Sequence, residues 1–143
     1  NDTVVNVKDY RPVVRSLYDV RKPCGYMIPA ELGDVTAWIA RHALVTEEFA
    51  GGDRYRIEQY DVSAIDSIDF EGDIIVNPEV TLREHDDVIK YSDYIYVPTS
   101  QLKGNMIVIA LEPKSMLGLV TYPDFAHLLR ANDKFPILRV TRK

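Results

Sequence analysis

With 143 residues, 46% of them apolar and 27% charged, the chain has the size and composition of one globular domain that buries its own core. Its 17 basic and 22 acidic residues give a formal net charge of −5, which argues against a nucleic-acid binder, whose Lys and Arg gather into a phosphate-tracking stripe. No apolar run approaches the roughly 20 residues of a membrane-spanning helix, and the single cysteine, Cys24, leaves no partner for an internal disulfide or a thiolate zinc cluster.

In chain order, Asn1 reads as the start of a processed fragment, since neither an initiator Met nor a charged-then-apolar leader precedes the domain. Residues 1–20 read as a lead-in or linker that adds an edge strand through Val13, Val14 and Leu17, and residues 21–143 as a single domain. Tyr26, Met27 and Ile28 form a short buried strand that Pro29 stops. Leu32, Val35, Trp38, Ile39 and His42 recur at three- and four-residue spacing, so a helix is predicted over 30–43 with Trp38 on its buried face.

Strands are predicted at 44–49 and 54–62, separated by the turn Gly51-Gly52-Asp53, then an acidic connection at 65–72. Further strands follow at 73–76, 80–83 and 88–91. The central stretch is 93–117: Tyr94, Ile95, Tyr96 and Val97 are a strand ended by Pro98, and Thr99 is an N-cap candidate. The helix behind it places Leu102, Met106, Ile109 and Leu111 on one face and closes before Pro113. An apolar segment at 117–120, a helical stretch at 124–130 and a terminal strand at 135–140 complete the chain. Helix–strand alternation at both ends and a β-rich middle third predict an α/β fold, a mixed sheet packed by helices. The two units in which a strand runs through a proline into a helix predict that 26–28 and 94–97 are neighbouring or near-neighbouring buried strands.

Chemistry is sparse in this pattern. His42, His85 and His127 have no second ligand at helical spacing, so none starts a zinc site, and the acidic run around His85 reads as solvated loop. Cys24 would be a nucleophile only with a base such as His42 beside it, and reads as a small buried hydrophobe. Asp69, Glu71 and Asp73 are spaced like the start of a calcium loop. Ile74 stands where that loop needs Gly and Val80 where it needs Glu, so the stretch reads as a turn. Gly104 lacks the partners of a phosphate loop. Tyr91, Tyr94 and Tyr96 are the candidate ligand surface, offering stacking faces with polar tips to a sugar or peptide.

Four stretches together carry a resemblance: 21–29 (Arg-Lys-Pro-Cys-Gly-Tyr-Met-Ile-Pro), 41–45 (Arg-His-Ala-Leu-Val), 94–101 (Tyr-Ile-Tyr-Val-Pro-Thr-Ser-Gln) and 110–115 (Ala-Leu-Glu-Pro-Lys-Ser). In order and spacing the chain resembles the domain that follows the catalytic domain in certain bacterial zinc carboxypeptidases of the carboxypeptidase A/T-like metallopeptidase family. Ala43 and Lys114 replace that pattern's usual Gly and Glu, and the chain diverges after Met116. The family's His-x-x-Glu pair, later His and general-base Glu have no match here, so no catalytic, metal or cofactor residue carries over. The resemblance implies a non-catalytic companion domain of a secreted or cell-envelope hydrolase whose zinc lies elsewhere. Its partners would be the upstream peptidase domain and peptide or cell-wall substrate. The competing reading is an independent small α/β hydrolase using Cys24 and a histidine, or a carboxylate pair.

Overall fold

The two proline-ended strands do lie side by side. In the computed structural model, which describes residues 3–5 and 18–143, β1 (Gly25–Pro29) pairs with β4 (Tyr94–Pro98) along its whole length, Gly25 opposite Pro98 and Pro29 opposite Tyr94. The edge strand expected at Val13, Val14 and Leu17 lies outside the described residues. The pairing is antiparallel. So is every other pairing in the six-stranded sheet, which β2 (Tyr55–Phe70), β3 (Asp73–Glu84), β5 (Asp133–Lys134) and β6 (Leu138–Arg142) complete in the order β3-β2-β6-β1-β4, with β5 on β2. The fold is therefore a small strand-rich domain with few helices, and the expected mixed α/β sheet is corrected to an antiparallel one.

The largest departure is in the middle third. The acidic stretch 65–72 does not break the sheet: β2 runs 16 residues and β3 returns for 12, with Phe70 opposite Asp73. A bulge at Ser63 resets the two-residue period, so that Val62 and Ile65 serve one face although they are three apart. Glu71 and Gly72, at φ 54° and 94°, make the tight two-residue turn that matches strand twist, and the Gly72 N–H donates to Asp69 Oδ1 at 2.8 Å. The calcium-like spacing is thus a hairpin tip. Pro78 is tolerated inside β3 because β3 is the edge strand among the described residues, so no described neighbour misses its N–H. The strand expected at 44–49 shrinks to a bridge between Glu47 and Tyr96, and 88–91 is loop leading into a 3-10 turn at Tyr91–Asp93.

Both helices are shorter than their apolar patterns. α1 (Gly33–Arg41) begins after a turn in which the Leu32 N–H donates to the Pro29 carbonyl, and it buries Val35, Trp38 and Ile39. α2 (Gly104–Leu111) begins five residues after Thr99, which does not cap it. The Thr99 hydroxyl instead donates to the carbonyls of Pro23 and Cys24, tying β4 to the entry of β1. The shift turns the helix: Gly104, Ile107, Ala110 and Leu111 are buried, Leu102 is fully exposed and Ile109 is 45% exposed. Gly104 sets the register, because a Cβ there would run into the Thr99 carbonyl oxygen. The segments at 117–120 and 124–130 become 3-10 turns at Leu119–Thr121 and Pro123–Leu128.

The sheet is covered on both faces. One face carries the main core, with Tyr26, Ile28, Tyr60, Val62 and Val97 beneath α1, α2 and the 3-10 turns. The other buries Met27, Tyr96, Leu138 and Val140 under loops that contribute Phe49, Ile89 and Tyr91.

Candidate functional site

The loop-covered face holds the three tyrosines singled out in the sequence, but not as an exposed platform. Tyr96 is buried, and Tyr91 and Tyr94 are half-buried. Their organiser is Phe49, which the sequence reading had only placed at the end of a strand. Its ring lies 4.8 Å from Tyr96, 5.2 Å from Tyr55 and 5.6 Å from Tyr91, the last two edge-on as ring quadrupoles prefer. Tyr96 lies over Gly25, where any side chain would meet its ring. Burial pushes the Tyr96 phenol up to about 12, so it acts as a neutral hydroxyl at physiological pH. Gly25→Ala is expected to cost about 1–3 kcal/mol in urea unfolding by forcing Tyr96 off its seat; an unchanged midpoint would show that the ring yields freely.

Two open grooves flank Phe49. One, of about 750 Å³, runs between Glu47, Glu48 and the side formed by Tyr91, Ser92, Tyr94 and Ile95. The second, of about 660 Å³, is bounded by Cys24, Tyr55, Tyr96 and Ser100, with Lys22, Arg142, Glu47 and Glu48 also on its lining. Aromatic side walls with charged rims suit stacking and apolar contact with a sugar or a peptide side chain. Nothing in either groove forms a reactive pair. Cys24 is half-buried in the second groove, and no histidine is among the described residues lining it.

The histidines are held apart on other business. His42 Nδ1 is 2.9 Å from the Trp38 carbonyl oxygen, and its ring packs 4.7 Å from the indole. His85 Nδ1 lies 2.9 Å from Gln59 Oε1. His127 Nε2 is 3.3 Å from Asp34 Oδ2. Among the described residues no group of three His, Cys, Asp or Glu side chains is placed to hold a metal ion.

The strongest polar constellation is on the opposite face, and the sequence reading missed it. Glu112, the residue that ends α2, is buried, and its carboxylate accepts from Tyr26 at 2.6 Å, from Tyr60 at 2.7 Å and from Arg139 Nε at 2.8 Å. Arg139 donates onward from Nη1 to Glu58 at 2.7 Å and from Nη2 to the Arg21 carbonyl at 2.6 Å. Register explains the convergence, since Tyr26, Arg139 and Glu58 lie abreast on β1, β6 and β2. Burial first, then the Glu112 charge, holds both phenols far above their ordinary pKa, and a bond with Tyr18 adds to this at Tyr60. Every polar atom here has a partner, so the cluster is built to hold the fold, not to receive a ligand. Its one signal in the sequence was a lone arginine in the otherwise apolar 135–140 segment.

Comparisons with protein-family models, with curated proteins and with solved structures found no match to this chain.

Proposed function

We propose that the chain is a non-catalytic companion domain of a zinc carboxypeptidase-like protein, packing on or orienting an upstream catalytic domain or binding its substrate. One observation carries the reading: Tyr26, Thr99, Gln101 and Glu112, polar residues of the four stretches that bear the resemblance, join those stretches to one another. Tyr26 of the first donates to Glu112 of the fourth. Thr99 of the third donates to Pro23 and Cys24 of the first. Gln101 of the third donates to the Val45 carbonyl of the second, and its side-chain oxygen accepts from the Val45 N–H at 2.9 Å. Gly25 and Tyr96 interlock. These links support a scaffold role for the shared pattern, in which the domain works through its surface. In that role the grooves beside Phe49 are the place for a peptide or sugar, with Tyr91 and Tyr94 on one wall and Tyr96 buried between.

The complete reading frame should encode a His-x-x-Glu-bearing domain ahead of Asn1, and its product should release C-terminal residues from peptides in a zinc-dependent reaction. The 143 residues by themselves should release none, with or without zinc. Turnover by the 143 residues that His85→Ala abolishes and His42→Ala spares would overturn the proposal, as would an upstream region lacking the zinc ligands.

A further inference from the structure

Beyond Val62 the β2–β3 hairpin leaves the rest of the sheet. β6 pairs with β2 no further than Glu58, and β5 reaches only Asp61 and Val62. Among the described residues, 64–79 therefore form a two-stranded arm whose strands pair only with each other. Its base is pinned by Lys114, whose Nζ donates to Asn77 Oδ1 at 3.1 Å and to the Pro78 carbonyl at 3.0 Å. On one face of the arm Pro78 is buried and Val76 packs against the edge of the main core, while Ile65 beside the base is 43% exposed and Ile74 toward the tip is 70% exposed. An isolated two-stranded ribbon is marginal in water, and an arm of this kind gains from being covered.

The charge says what covers it. Asp66, Asp69, Glu71, Asp73 and Glu79 lie on the arm, with no Lys or Arg between residues 57 and 82. The remaining 127 residues balance 17 acidic against 17 basic side chains, so the whole formal net charge of −5 resides on these 16 residues. The carboxylate bonds seen here are local: the Ser67 N–H donates to Asp66 and the Gly72 N–H donates to Asp69. Elsewhere on the surface several acids have a basic partner: Asp61 with Arg83, Glu84 with Arg56, Asp87 with Lys134 and Asp93 with Lys90. A charge-balanced body with one acidic projection bearing exposed isoleucines has the complementarity of a protein interface, in which charge sets orientation and apolar contact supplies affinity.

We infer that the arm 64–79 is the docking surface of this domain. Its occupant is the upstream domain of the same polypeptide, through an apolar patch rimmed by Lys and Arg. The inference rests on the companion-domain reading for the identity of the occupant, and its test is separable from that reading. Amide hydrogen exchange is measured on the full-length polypeptide and on the 143-residue domain, the latter having a core of its own. In the full-length protein the arm's amides, including those of Ile65, Ile74 and Val76, should exchange at least tenfold more slowly. Raising the salt from 0.05 M to 1 M, or the triple change Asp69→Lys, Glu71→Lys and Asp73→Lys in the full-length protein, should remove most of that protection. Equal exchange in the two proteins at low salt overturns the inference, even where the full-length protein is an active zinc peptidase. Protection that appears only with rising protein concentration also overturns it, assigning the arm to a second copy. Salt-sensitive protection in a full-length protein without peptidase activity upholds the docking surface and rejects the companion's assigned chemistry.

Discussion

Glu112→Ala should destabilise the domain by about 3–5 kcal/mol in urea unfolding, among the largest effects of any single change. The carboxylate is the common acceptor for Tyr26, Tyr60 and Arg139, and its removal leaves two phenol donors and a guanidinium edge buried without their acceptor. Arg139 keeps Glu58 and the Arg21 carbonyl, which limits the loss. The cost lies in stranding partners, so removing them together should recover it. Glu112→Leu combined with Arg139→Met is expected to be clearly more stable than Glu112→Ala, as apolar replacements of buried ion pairs commonly are. A loss below about 1 kcal/mol for Glu112→Ala would show that water enters the site and solvates Arg139.

The same cluster sets an alkaline limit. The Tyr26 and Tyr60 phenols have folded pKa values raised above the ordinary 10.0, because burial and the Glu112 charge both oppose ionisation. A raised folded value contributes stability that is complete below pH 10 and declines as pH rises past it, since the unfolded chain sheds protons that the folded chain retains. Unfolding free energy should therefore fall steadily above pH 10. Replacing both residues by Phe should flatten that fall while lowering stability at neutral pH.

What could be read from the sequence was what depends on neighbours in the chain. Tyr26-Met27-Ile28-Pro29 and Tyr94-Ile95-Tyr96-Val97-Pro98 are locally unambiguous, and both strands and their adjacency stand in the structure. Strand direction is not local: whether β4 runs with or against β1 depends on where the long hairpin delivers the chain, and no residue of either strand encodes it. The arm was misread because carboxylates are usual in turns, and the Ser63 bulge broke the alternation that would have marked a single long strand. α2 was placed too early because Thr99 has the chemistry of a cap, while the hydrogen bond it makes goes to residues 75 and 76 positions away. Tyr91 and Tyr96 were read as surface because their cover, Phe49, reaches them from across a loop. Glu112 and Arg139 meet only in three dimensions, which is why the strongest polar cluster gave almost no sequence signal.

Trp38→Ala should cost about 3–5 kcal/mol. The indole, the only one in the chain, is 8% exposed on the face that α1 turns to the main core, alongside the fully buried Val35 and the buried Ile39. Truncation to Ala removes a large apolar surface from this contact and leaves a cavity that α1 cannot close by itself. The helix is only nine residues long, its first turn has no side-chain cap, and its hold on the sheet is the apolar stripe. The change also strips the His42 ring of its aromatic neighbour, leaving its bond to the residue-38 carbonyl as its remaining anchor. Because the substitution removes the tryptophan fluorophore, unfolding is followed by circular dichroism. Trp38→Phe, which keeps a ring in the core, should lose markedly less than Trp38→Ala. An Ala variant within about 1 kcal/mol of the parent would mean that α1 is held by its ends and not by this face, contradicting the packing that places the helix.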